Sequence, residues 1–88
     1  MEDKVKAILD YLNQVETRCT YGAVAGVLGV NPKSVGSHLG ERRPYASWVV
    51  NSQTHEPTDY TEAEKHPNLY RTDRIIKSVE VLRRNLGV

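Results

Sequence analysis

With 88 residues, the chain is long enough for one domain around one small core and too short for two domains with a cleft between them. Charged residues make up 26%, and 12 Lys+Arg stand against 11 Asp+Glu for a net charge of +1, which excludes a polybasic nucleic-acid coat, an acidic mimic of DNA and a disordered polyelectrolyte. The single cysteine, Cys19, excludes an intrachain disulfide and a cysteine-based metal cluster, and points to a reducing, cytoplasmic setting. No apolar run approaches the roughly 18 residues of a transmembrane helix, so no membrane partner is expected. The acidic start Met1-Glu2-Asp3-Lys4 is unlike that of a signal peptide.

The spacing of Val5, Ile8, Leu9, Leu12 and Val15 predicts an amphipathic helix over residues 3–15. Residues 17–20 contain poor helix formers and read as a short extended connection. Thr20 is a good N-cap for a two-turn helix over residues 21–28, which Gly29 closes. Asn31-Pro32 is an N-cap followed by proline at the first helical position. A third helix is therefore expected from Pro32 to Leu39, ended by Gly40. Residues 45–52, Tyr-Ala-Ser-Trp-Val-Val-Asn-Ser, are rich in aromatic and β-branched types and read as a strand. Residues 53–59 read as a turn around Pro57. A weak second strand near 58–61 would complete a hairpin. Residues 74–77 suit a strand or a helix start, and Ser78 caps a last helix that reaches Leu86, with Gly87 just beyond it.

Residues 21–39 form the strongest pattern, two short helices joined by a glycine-containing turn. The expected fold is mainly α with a small β-hairpin. It is a single winged-helix-like domain over residues 1–88: a three-helix core, a helix-turn-helix at 21–39 and a C-terminal helix. The second helix of the pair would enter a major groove. Lys33, Ser34, Ser37 and His38 would face the duplex, where lysine meets phosphates or guanine edges and the other three hydrogen-bond.

Charge is segregated along the chain. Residues 17–50 carry net +3, from Arg18, Lys33, Arg42 and Arg43 against Glu41, and residues 71–88 also carry +3. Residues 1–16 carry −2 and residues 51–70 carry −3. Arg18, Arg42 and Arg43 are therefore expected to hold phosphates beside the helix-turn-helix.

The run Thr20-Tyr21-Gly22-Ala23-Val24-Ala25, then Leu28-Gly29, Lys33-Ser34-Val35-Gly36, Leu39 and Val49-Val50-Asn51-Ser52, resembles the DNA-binding domain of the O6-alkylguanine-DNA alkyltransferases. Among these it is closest in spirit to the alkyltransferase-like proteins, which lack the acceptor cysteine. The resemblance covers about residues 5–52. It implies that Tyr21 helps rotate a nucleotide out of the duplex and that Lys33 fills the gap. The family's Pro-Cys-His-Arg site would fall on Tyr45, Ala46, Ser47 and Trp48, none of which matches. Alkyl transfer then lacks both its thiol and the histidine that would activate it.

His38, His55 and His66 lie on different elements and make a poor metal site. Asp59, Glu62 and Glu64 read as a solvated acidic loop, and Trp48 as core. The sequence therefore predicts a non-enzymatic protein with no catalytic residue, no metal, no cofactor and no evident small-molecule substrate. Its expected partner is duplex DNA, held mostly through the phosphate backbone. The alternatives are a protein-binding adaptor or regulator, using the acidic loop 56–64 and the last helix, or an alkyltransferase-like sensor of damaged bases.

Overall fold

The computed structural model describes residues 2–87. Helix α1 spans Glu2–Val15 and buries Val5, Ile8, Leu9 and Leu12 along one stripe, as its 3.6-residue period requires. Strand β1 follows at Arg18–Thr20. Thr20 accepts a hydrogen bond from the Ala23 amide at 3.2 Å and so caps α2, Tyr21–Leu28. Gly29 closes α2 in the left-handed region, at φ 72°, where a Cβ would be strained. Its amide donates back to the Ala25 carbonyl at 2.8 Å.

Asn31 caps the next turn from its side chain, accepting from the Lys33 amide at 2.9 Å. The helix expected over 32–39 is split. Pro32–Ser34 is a single 3-10 turn, and only Val35–Leu39 is α-helical (α3). The strand expected over 45–52 is also shorter. Pro44–Ala46 turns as a 3-10 helix, because proline at its start favours a turn over a ladder, and β2 is Val49–Val50.

The expected hairpin is not what forms. A three-stranded sheet runs in the order β2-β1-β3, with β3 at Ile75–Ile76. Both pairings are parallel: Cys19 lies opposite Val49 and Ile76. A parallel partner needs a crossover, not a tight turn, and residues 51–74 supply it. Around 58–61 a returning strand is prevented by Pro57, which lacks an amide donor, and by Asp59, at φ 60°. The short extended connection expected over residues 17–20 is extended, but as the central strand of the sheet, Arg18–Thr20. The chain ends in α4, Val79–Leu86, capped by Ser78 and closed by Gly87 at φ 77°, as expected.

The core lies between α1, α2, α4 and the sheet. Trp48, Ile8, Leu9, Leu12, Leu69 and Leu82 are its largest fully buried side chains. Arg18 is buried with them, only 6% exposed. Its guanidinium donates to the backbone carbonyls of His55 at 3.0 Å and Thr72 at 3.1 Å, and lies over the Tyr70 ring. It thus ties β1 to both ends of the crossover. No helix of the described residues is long and apolar enough to cross a membrane.

Candidate nucleic-acid interface

Three parallel strands present all their carboxyl ends at one edge of the sheet. There Thr20 ends β1, Asn51 follows β2 and Lys77 follows β3. β1 is also where the strand order reverses, since β2 pairs on one side of it and β3 on the other. In open parallel sheets the crevice at such a point is the usual ligand site.

A cleft of about 690 Å³ opens here. Its walls are the start of α2 (Tyr21, Gly22), the turn into α3 (Pro32, Lys33, Gly36) and the crossover (Ser52, Thr58). The Asn51 side chain organises the wall after β2, accepting from the Gln53 amide at 2.7 Å and the Thr54 amide at 3.3 Å. The Tyr21 hydroxyl accepts from the Thr58 amide at 3.4 Å, which links α2 to the far wall. Among the described residues, Lys33 and Lys77 are the only charged ones lining the cleft. Neither forms an ion pair with a described residue. Two ammonium groups among hydroxyls and an amide, with no carboxylate from the described residues in the lining, give a locally positive surface.

The residues expected from sequence do not share one place. Tyr21 and Lys33 line this cleft. Arg42 borders an adjoining recess that shares Tyr21, Gly36 and Thr58, but Glu41 also lines it, and the Asp59 carboxylate stands 3.8 Å from the Arg42 guanidinium. His38 and Arg43 lie elsewhere, in a groove against Glu2, Asp3 and Asp10 of α1. Arg43 is further occupied as a cap, donating to the Leu39 carbonyl at 3.1 Å and the Glu41 carbonyl at 2.9 Å. Ser37 is exposed and donates to the Ser34 carbonyl at 2.7 Å, while Ser34 is half-buried. Arg18, expected at a phosphate, is instead inside the protein with its guanidinium bound to backbone carbonyls. The basic residues expected beside the helix-turn-helix therefore do not share one face: α1's carboxylates adjoin His38 and Arg43, and the Asp59 carboxylate adjoins Arg42.

The sequence did not single out Lys77, Asn51, Ser52, Thr58 or Thr20, which also line the cleft, as site residues. Lys77 belongs to the second basic block, residues 71–88. Only the parallel pairing of β3 with β1 brings it beside Lys33.

The positions that would hold a nucleophile are built into the core. Cys19 is fully buried, and burial pushes its thiol up to about 12. Ala46 and Ser47 are also buried. The Ser47 hydroxyl donates to the Pro44 carbonyl at 2.8 Å and accepts from the His66 amide at 3.0 Å. Among the described residues, no group of three or more His, Cys, Asp or Glu side chains could hold a metal ion.

Fold and cleft together define a small α/β domain with a basic crevice at the carboxyl ends of a short parallel sheet. No protein-family model, curated protein or solved structure matches the chain, so the site is read from its own residues.

Proposed function

We propose that the protein is a non-enzymatic binder of duplex DNA, using α2 and the turn into α3 as a helix-turn-helix. The observation that carries this reading is the pair Lys33 and Lys77 in one cleft, with no ion pair and no lining carboxylate among the described residues. Ammonium groups neutralise phosphates and release counterions, with no need for base recognition. The hydroxyls of Ser52 and Thr58 and the amide of Asn51 add donors suited to phosphate oxygens. The start of α2 contributes the positive end of its dipole to the same wall. With α3 only five residues long, base reading is limited, and contact is mostly with the backbone.

Fluorescence anisotropy with a labelled duplex tests this. Binding is expected at about 50 mM salt and is lost when Lys33→Glu and Lys77→Glu are combined. Binding that survives the double charge reversal contradicts the reading.

A second reading, sensing of damaged bases, draws on the resemblance to alkyltransferase-like proteins and on Tyr21 and Lys33 lining one cleft. It expects tighter binding to a duplex with an O6-alkylguanine than to the unmodified duplex, and loss of that preference in Tyr21→Ala. Equal affinities for the two duplexes contradict it.

A further inference from the structure

The two edges of the sheet differ. β2 is fully buried, whereas both residues of β3 are half-buried. β3 pairs only with β1, so its outer side carries backbone groups without a strand partner. Side chains alternate along a strand. Ile76 packs against the core, so Ile75 points to the opposite face. Beside it runs a groove of about 360 Å³ between the end of α1 and α4. Val15 and Val81 line this groove, each 39% exposed, and they are two of the three large hydrophobic residues exposed among the described residues. The charged residues in the lining are Arg74 and Lys77, both positive.

We propose that this edge is a docking site for an extended protein segment of alternating apolar and acidic residues, added to the sheet as a fourth strand beside β3. An added strand gains main-chain hydrogen bonds from the open edge, and its alternate side chains supply specificity. Apolar positions fit Ile75, Val15 and Val81, and carboxylates meet Arg74 and Lys77. A second copy of this chain fits less well. A twofold interface would place Arg74 and Lys77 of one copy against the same cations of the other. The apolar floor likewise does not suit a phosphate backbone. This site goes beyond the DNA reading and shares only Lys77 with it.

The test is amide-resolved NMR of the full chain, titrated with a short capped peptide of alternating valine and glutamate. A valine–lysine peptide is the counterpart. Saturable shifts at Ile75 and Ile76, extending to Val15 and Val81, are expected with the glutamate peptide alone. Arg74→Glu weakens that binding by about tenfold, through like-charge repulsion, and Val81→Asp removes it. Both variants keep wild-type affinity for duplex DNA, because neither residue lines the basic cleft; circular dichroism confirms that they fold. The proposal is overturned by an absence of shifts at millimolar peptide, by equal binding of the lysine peptide, or by the same residues shifting with protein concentration alone, which marks self-association.

Discussion

Gly26 of α2 and Val79 of α4 meet so closely that no side chain fits between them. A Cβ placed on Gly26 would lie 2.3 Å from Val79 Cγ2 and 2.8 Å from Val79 Cγ1, where an ordinary carbon contact is about 3.5–4.0 Å. Helix propensity favours alanine over glycine at a mid-helix position by about 1 kcal/mol. Overpacking against a β-branched side chain with few alternative rotamers outweighs that gain. Gly26→Ala is expected to destabilise the fold by about 1–3 kcal/mol. The double variant Gly26→Ala/Val79→Ala recovers part of the loss, because it removes the two closest carbons. Urea unfolding of the four proteins in this cycle checks both statements. Full additivity would show that the approach of α2 to α4 is looser than described.

Arg18 acts in folding, with its charge held inside. Replacing it with methionine keeps much of the volume but leaves the His55 and Thr72 carbonyls without their donor. A loss of about 1–3 kcal/mol is expected for such buried groups. DNA affinity, measured where the variant is still folded, stays at the wild-type level. An Arg18→Met protein of normal stability but weakened DNA binding would place this side chain at the interface instead.

Acid sensitivity arises from carboxylates tied across the chain. Glu16 is held below its ordinary value of 4.5 by hydrogen bonds from the Asn68 amide and then the Arg71 guanidinium. At Glu56, burial pushes upward, but the Tyr70 hydroxyl and Lys65 ammonium prevail and hold it low as well. A carboxylate with a depressed folded value stabilises the protein above its unfolded value and loses that contribution as pH falls through the folded one. The melting temperature is therefore expected to fall as pH drops below 4.5. Glu16→Gln shows a shallower fall than the wild type. An identical pH dependence in the two proteins would show that the Glu16 contacts to Asn68 and Arg71 do not contribute.

Much of the helical framework was legible in the sequence because it is encoded locally. Thr20, Asn31 and Ser78 cap where expected, Gly29 and Gly87 take the left-handed conformation, and the apolar stripe of α1 is buried as its period implies. The sheet was legible only in part: β2 lies inside the strand expected over 45–52 and β3 inside the strand or helix start expected over 74–77, but β1 as a strand and the parallel pairing were not. β1 is three residues long and lies in a segment too short for alternation to register. Its partners are distant in the chain, Val49 and Ile76 for Cys19. A hairpin pairs a strand with the next segment of the chain, whereas β2 pairs with the earlier β1. The same long-range pairing explains the two largest changes at the interface. It draws Lys77 into the cleft beside Lys33 and draws Arg18 inside the domain as part of the central strand. The acidic loop 56–64, which would carry a protein partner in the alternative reading, is partly neutralised from within, since Lys65 pairs with Glu56 at 3.0 Å and Glu62 at 3.1 Å.

The central claim is that two lysines in one cleft neutralise DNA phosphates, and the salt dependence of binding tests it most directly. Each neutralised phosphate contributes about 0.9 to the slope of log affinity against log salt. Combining Lys33→Gln with Lys77→Gln is expected to make that slope shallower by roughly 1.8 while the protein remains folded. A slope unchanged by the two substitutions would contradict the account.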